Sequence, residues 1–566
     1  MNQTALSKRI PPQTQWQSLL LLLGLGALYF LLFGRFGYFP SDQGFIPSLA
    51  WRIWQGQRPY LDFIYVRPPL SAYLHVWEMA LPASWRLLSG RIFFYLQMSL
   101  STWWVLMSLA HSLPTYLAKK DLFWLAGLAL IGALHNYSPM PWHTVDGIFL
   151  GSLGIYLMVV PRRWGWWLVG SLALLGAALC KQSFYLLPLI GWALIYFYRQ
   201  ESSKFFALGF SMGGSLVIAI LTWLFNKEVV VAGLLQTRGA SSLVDLWQTG
   251  IWQYLKALPA LALGIALVEF GKEKSWFQWL KWLWPMMLIG GAGIHALWAL
   301  WTQSYAGPML VYGQILWLAS LASAYLGLSQ AYKQKQLRGS GFFPLLAFLG
   351  MAWSASISWG YATPILAFGP LVLGGWIGWQ LWGDGNGFPQ WTLAAITLGL
   401  ALCWGLSSLY PYREAPRFSK YQSGGELFPA LSGIQLGKES YERLAELKTL
   451  AGKYGDRFTV LPTYPAAHLM LENNPPFASD WPQNGEINAK LLLPSLQTVL
   501  DFQVAYVFLQ KNRMNRLEDT GRYGLLLGKE VVETWELIEE GIHLNVYRNP
   551  KLSEQDQPGL AWREHR

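Results

Sequence analysis

Apolar stretches long enough to cross a lipid bilayer recur along most of this 566-residue chain, and that recurrence limits its fold more than any other feature. About 20 apolar residues span the ~30 Å hydrocarbon core. Within that core the backbone must satisfy its own hydrogen bonds, so long apolar runs cross as helices. Spans are expected at 16–33, 91–110, 122–137, 145–160, 164–180, 183–198, 205–225, 251–270, 276–300, 308–330, 342–360, 363–382 and 390–409. The fold class is therefore a polytopic α-helical membrane protein with about 13 crossings. Charged residues make up only 13% and hydrophobic ones 53%, which excludes secreted, disordered and ordinary cytosolic classes. Cys180 and Cys403 both lie in apolar runs, so no disulfide framework or cysteine-based zinc site can be built.

The formal charge of +11 divides unevenly. Residues 1–410 carry 24 Lys/Arg against 11 Asp/Glu, and residues 411–566 carry 18 against 20. The basic excess belongs to the membrane part, where loop cations set orientation. Nucleic acid is not an expected partner; membrane lipids are. Lys8 and Arg9 precede the first apolar run and no small-residue cleavage site follows it, which predicts an uncleaved anchor with a cytoplasmic N-terminus. The loops then expected inside hold Lys119-Lys120, Arg162-Arg163, Arg199 with Lys204, Lys272 with Lys274, and Lys333, Lys335 and Arg338. Only the loop from Asp384 to Gly387 departs from the positive-inside pattern. An odd number of spans places everything after Tyr410 on the outer, periplasmic side of a plasma (inner) membrane. The segment 164–198 is taken as two short spans, because one long helix would reverse the downstream charge pattern.

The chain divides into a transmembrane module, 1–410, and an extracytoplasmic tail, 411–566, joined by a Pro- and Gly-containing linker at 411–434. In the tail, Lys438–Tyr454 has helical spacing and Phe458–Pro462 reads as a strand. Leu491–Phe502 is helical in pattern and Val504–Leu509 strand-like; Glu530–Glu540 and His543–Tyr547 add short elements. Alternation of this kind predicts a small α/β domain.

Polar residues concentrate in the first outside loop, 34–90. It holds Ser41-Asp42-Gln43-Gly44, then Gly56-Gln57-Arg58-Pro59-Tyr60-Leu61-Asp62-Phe63, then Val66-Arg67-Pro68-Pro69-Leu70. An interfacial helix is expected over 47–55, and a second, after Pro68-Pro69, carries Tyr73, His75, Trp77 and Glu78. This order of acid, interfacial helix, G-x-x-P-Y-x-D-F and P-P-L resembles the GT-C membrane glycosyltransferases. The nearest branch is the bacterial set of aminoarabinose transferases, protein mannosyltransferases and rhizobial lipopolysaccharide relatives. His143-Thr144-Val145-Asp146-Gly147, the intramembrane Lys181-Gln182-Ser183 and a soluble tail fit the same pattern. Many members have two adjacent acids where this chain has Asp42-Gln43.

The resemblance implies transfer of a sugar from a polyprenyl-phosphate-linked donor to a lipid, glycan or protein acceptor on the outer face, by inverting displacement. Such chemistry needs a base for the acceptor hydroxyl and positive charge for the leaving phosphate. Asp42 is the expected base and Asp146 a second acid. Lys181, Arg52, Arg67, Arg58 and Arg238 are the cations available for phosphate. Asp62, Tyr60, His75, His143 and Tyr361 are further site candidates. Each has a plainer reading: Asp42 as a helix-start acid, Asp62 as a cap on the Pro59-Tyr60 turn, Asp146 as a buried acid paired with His143 or Lys181. No cofactor is expected; a divalent ion held by Asp42, Asp146 and nearby histidines lacks supporting H-x-x-x-H or E-x-x-H spacing. The competing classes are a lipid or solute transporter and a non-catalytic membrane scaffold.

Overall fold

The computed structural model describes residues 11–552 except 118, 136–137, 238–282 (259 and 262 apart), 304–309, 358–366, 383–389, 411–415, 418, 420, 463, 485–486, 488–495, 502 and 520–523. Each expected span other than 251–270, which falls almost wholly outside the described residues, coincides with a helix. In order these begin with α1 (Pro12–Tyr29), α2 (Pro40–Trp54), α3 (Leu70–Leu74), α4 (Val76–Met79), α5 (Ala83–Ser112), α6 (Lys119–His135), α7 (His143–Val159), α8 (Trp164–Cys180), α9 (Leu187–Tyr198) and α10 (Ser203–Phe225). Among the described residues three segments are long and apolar enough to cross a membrane unaided: Pro12–Gly34, Ala83–Ser112 and Ser203–Phe225. Others, including His143–Val159, Trp164–Cys180 and Phe342–Ser356, are apolar but shorter. The described helices thus bear out a mostly helical membrane protein without establishing the count of thirteen crossings.

The helices pack through a core that includes Leu22, Phe94, Leu125, Ile155, Trp167, Phe348 and Trp376. Lipid tails are as apolar as these side chains, so close backbone approach has to supply much of the association. α7 and α8 show this. A Cβ on Gly154 would lie 2.8 Å from the Gly170 carbonyl oxygen, and one on Gly170 would lie 2.8 Å from that of Gly154. By contrast, α10 exposes Phe205, Phe206, Phe210, Leu216 and Leu224, a surface suited to lipid.

The segment 164–198 is two helices. α8 stops at Cys180, Lys181 is extended at φ −161°, and a short 3₁₀ turn, Gln182–Phe184, leads into α9. This break puts the Lys181 side chain where an unbroken helix would have directed it elsewhere.

The first interfacial helix starts earlier than expected, at Pro40 rather than Pro47. Both prolines suit a first helical turn, where the missing N–H is no loss. The chain entering at the earlier one is held by Gln43, whose Oε1 accepts the Phe39 N–H at 3.3 Å and an Arg91 Nη2–H at 2.8 Å. Arg91 also donates to the carbonyls of Gly34 and Gly37, so one cation ties α5 to the entry of α2. The second interfacial segment is broken into α3 and α4 at His75.

The tail contains a four-stranded sheet in the order β3-β4-β6-β5, with β3 (Phe458–Leu461), β4 (Tyr506–Gln510), β5 (Glu536–Glu540) and β6 (Leu544–Arg548). β3 and β4 are parallel; β4 with β6 and β6 with β5 are antiparallel. The helix Lys438–Tyr454 covers it through Leu444, Leu447 and Leu450. The expected linker is structured from Tyr421 onward: β1 (Tyr421–Ser423) pairs with β2 (Gln435–Gly437), and Phe428, Leu431 and Ile434 are buried between them and the tail core. Hydrophobic side chains at that density form a packed corner, not a tether.

The tail rests on the 34–90 loop. Gln435 N donates to Arg35 O at 2.7 Å and Gly37 N to Gln435 O at 2.9 Å. Ile64 N donates to Ala478 O at 2.8 Å, and Trp51 Nε1 to Asn473 O at 3.0 Å. A loop and a tail in contact lie on one side of a membrane. That requires an even number of crossings between them, a condition the expected spans meet.

Candidate active site

The candidate site is assembled where α2, the extended strand after it, the start of α7 and the α8–α9 break meet. Asp42 stands in the first turn of α2, buried, with Ser41 Oγ at 3.5 Å from its Oδ1. A carboxylate there is favoured by the positive end of the helix dipole. One turn further along the same face is Phe45, since residues three apart on a helix are neighbours.

Phe45 is the hub of an aromatic cluster. Its ring centroid lies 6.2 Å from that of Tyr65, 6.1 Å from Trp142, 6.4 Å from His143 and 5.0 Å from Trp481. The Arg67 guanidinium sits over the Phe45 ring at 5.1 Å, a cation–π contact. The Trp142 and His143 rings lie 4.3 Å apart, tilted at 35°. Three distant stretches of sequence thus converge on one ring.

Lys181 is drawn to the same place. Its Nζ donates to Thr144 Oγ1 at 2.8 Å, next to His143 in the first turn of α7. Its neighbour Gln182 donates through Nε2 to Val66 O at 2.6 Å, the carbonyl adjoining Arg67. Arg67 thus lies over Phe45 and Lys181 on Thr144 beside His143, with Asp42 one helical turn from Phe45 on α2.

Asp146 is wholly buried and engaged on several sides. It accepts from Ser71 Oγ, from Gln97 Nε2 at 2.8 Å, and from His75 Nε2 at 3.2 Å. His75 Nδ1 meets Glu78 Oε1 at 2.5 Å. Burial alone would pull the His75 imidazole down, but Glu78 and Asp146 outweigh it and raise it to about 10. His75 is therefore a buried imidazolium between two acids, and burial raises the Glu78 carboxyl in turn. The network joins the 34–90 loop to α5 and α7, and it pairs Asp146 with His75 rather than with His143 or Lys181.

The other expected residues take different places. Arg52 is 1% exposed and makes a bidentate pair with Asp480, Nε to Oδ2 at 2.6 Å and Nη2 to Oδ1 at 2.7 Å. It also donates to Phe477 O at 2.6 Å and Gln57 Oε1 at 2.9 Å, so its charge is matched within the protein. Asp62 Oδ2 accepts the Arg58 N–H at 2.7 Å and lies 3.6 Å from Arg58 Nε, capping the turn as its plainer reading has it. Tyr60, at φ +68°, donates its hydroxyl to Arg67 O at 2.6 Å and so fixes the strand that carries Arg67. Arg238 and Tyr361 lie outside the described residues. Trp142, Trp481 and Asp480 were not singled out from the sequence. In a chain with 33 tryptophans an isolated Trp carries no signal. Among the described residues no group of three or more His, Cys, Asp or Glu is arranged to hold a metal ion.

No family model matches the sequence, and no curated protein matches it. Among solved structures the chain is similar to ArnT from Cupriavidus metallidurans bound to undecaprenyl phosphate, with 13% identity and a TM-score of 0.41 over 95% of this chain and 99% of that one. The apo form of the same protein gives 12% identity and 0.44 over 94% and 98%. Archaeal oligosaccharyltransferase AglB from Archaeoglobus fulgidus, in complex with an inhibitory peptide and a dolichol-phosphate, gives 11% identity and 0.44 over 96% and 74%.

Proposed function

We propose that the chain is a membrane glycosyltransferase that moves a sugar from a polyprenyl-phosphate-linked donor to an acceptor hydroxyl on the outer face of the membrane. The observation that carries this reading is the Arg67 guanidinium over Phe45, one turn from Asp42 on α2, together with Lys181 on Thr144, next to the His143 ring that borders Phe45. A base without paired cations, or cations without a base, would suit simple lipid contact; the three together suit displacement at a phosphorylated carbon.

In the proposed step the acceptor oxygen attacks the anomeric carbon from the face opposite the phosphate. Its proton passes to the Asp42 carboxylate. The bond between anomeric carbon and phosphate oxygen breaks, and its electron pair stays on the phosphate. Arg67 and Lys181 stabilise the charge that collects there, an effect strengthened by the low dielectric of the site. Asp146 is assigned to positioning, because it holds Ser71, Gln97 and His75 and thereby the loop that presents Arg67. The tail, on the same side as the 34–90 loop, covers the site and contributes to recognition. No nucleotide sugar is available outside the membrane, which is why the donor has to arrive on a lipid.

The test is Asp42→Asn, assayed in membranes supplied with a labelled lipid-linked sugar pool. Asn preserves size and most hydrogen bonding but cannot take the proton. Donor retention should persist while turnover falls by ~10²–10⁴-fold, the usual contribution of a positioned general base. Turnover near wild type would remove Asp42 from the mechanism.

A further inference from the structure

Resting on the donor reading above, we infer that Trp481 of the tail, with Trp142 and His143, forms the subsite for the sugar ring, so that the tail takes part directly in substrate selection. Three buried polar atoms around Phe45 meet no hydrogen-bonding partner: Trp142 Nε1, Trp481 Nε1 and His143 Nδ1. Indole N–H groups can only donate, and a buried donor left unmatched is costly enough that most find an acceptor. Here two such donors and an imidazole face are gathered within one cluster, His143 being only 1% exposed. Arg67 and Lys181 stand beside them.

The chemistry of that set selects its ligand. An alkyl chain would use the aromatic faces of Phe45, Trp142 and Trp481 but leave every N–H unmatched. A phosphate would be held by Arg67 and Lys181 and needs no aromatic faces. A pyranose or furanose ring uses both, laying C–H faces on the aromatics and offering hydroxyl oxygens to the N–H donors. Trp481 is held firmly enough to discriminate. Its neighbour Asp480 is clamped by Arg52, Ala478 O accepts the Ile64 N–H, and the indole meets Phe45 edge-on at 5.0 Å.

The experiment compares Trp481→Phe and Trp142→Phe with the wild type, in the full-length protein, for binding of two probe sets. One is bare undecaprenyl phosphate; the other is undecaprenyl-phosphoryl glucose, mannose and galactose. Phe keeps a ring in the core, and matched melting temperatures confirm folding. The wild type should bind at least one sugar-bearing lipid more tightly than the bare one. Each variant should lose about three- to tenfold of that preference, the worth of one neutral hydrogen bond, and leave bare-lipid affinity unchanged. Full preference in both variants, an equal loss for both probe sets, or a wild type indifferent to the sugar overturns the subsite while the lipid-phosphate reading stands. A wild type that binds no bare undecaprenyl phosphate overturns the donor reading and the subsite with it.

Discussion

Asp480→Ala should detach the tail from the loop that carries Asp42. The pair it breaks is buried on both sides, with side-chain exposures of 1% for Arg52 and 6% for Asp480. Removing one member of such a pair strands the other charge, at a cost of about 3–5 kcal/mol. Here Arg52 would retain Phe477 O and Gln57 Oε1 as acceptors, so the lower figure applies. Three kcal/mol is about a hundredfold in the docked-to-undocked ratio, since ~1.4 kcal/mol is tenfold. The readout is amide hydrogen exchange at Ile64, whose N–H bonds Ala478 O across the junction. If that amide exchanges by local undocking, its rate should rise by about a hundredfold. Residues within the α7–α8 pair should exchange as before. Arg52→Leu combined with Asp480→Leu removes both charges and should restore most of the protection, because well-packed apolar replacements of buried pairs are often near neutral. Ile64 exchange unchanged in Asp480→Ala would refute the claim that this ion pair holds the junction. Exchange raised equally in the single and double variants would show that shape, not charge, is what matters there.

Lys181→Gln should weaken binding of bare undecaprenyl phosphate by tenfold or more, the worth of a charge-assisted hydrogen bond of about 1.5–3 kcal/mol, with Lys181→Arg recovering part; unaltered affinity in a folded Lys181→Gln protein would leave Lys181 as the Thr144 partner only. Asp146→Asn should act on stability before turnover, lowering the melting temperature as the His75 imidazolium loses a partner, and an unaltered melt would show that the network tolerates the change. Reporters fused after Tyr410 and within the 34–90 loop should label from the same side, and opposite labelling would contradict the contact between them. His468 supplies a pH test. Burial, offset in part by its bond to Asn473 at 2.7 Å, lowers its pKa from the usual 6.5 to about 4. The unfolded chain binds that proton more readily, so this contribution, roughly 3 kcal/mol, is complete above pH 6.5 and is lost as the pH falls towards 4. Melting of wild type and His468→Gln compared across that window should show a steeper decline in the wild type.

Helix positions were legible because a continuous apolar run marks each of them, whatever its length. The break at Lys181 was legible too, since a lysine flanked by Cys180 and Gln182 interrupts two short apolar runs. The early start of α2 was not, because the contacts at its entry are tertiary: Gln43, which meets the Phe39 N–H, also meets Arg91 from α5. Arg52 misled for a related reason. From sequence it is a cation on an interfacial helix, and nothing near it in the chain announces that Asp480, far along the tail, neutralises it. Pairings between the loop and the tail have no local signature, so the residues that depend on them were either miscast or overlooked.

That same dependence shapes what the site can do. Asp42, Phe45 and Arg52 share α2, so the proposed base, the aromatic hub and the tail clamp move as one body. Arg67 is held to that body by its contact over Phe45 and by the Tyr60 hydroxyl on its own carbonyl. Lys181 belongs to a different body, the α8–α9 break, and touches the first through Gln182 and Val66 O. A phosphate gripped by Arg67 and Lys181 together would bridge the two bodies. Donor binding would then tighten the loop against the helices as well as hold the leaving group. Coupling of this sort is reciprocal: a variant that loosens the Gln182–Val66 contact, such as Gln182→Ala, should weaken bare-lipid binding without touching either cation, and donor lipid should in turn slow hydrogen exchange around Val66. Loss of affinity without the matching protection would mean the cations act separately, each as an independent contact to the phosphate.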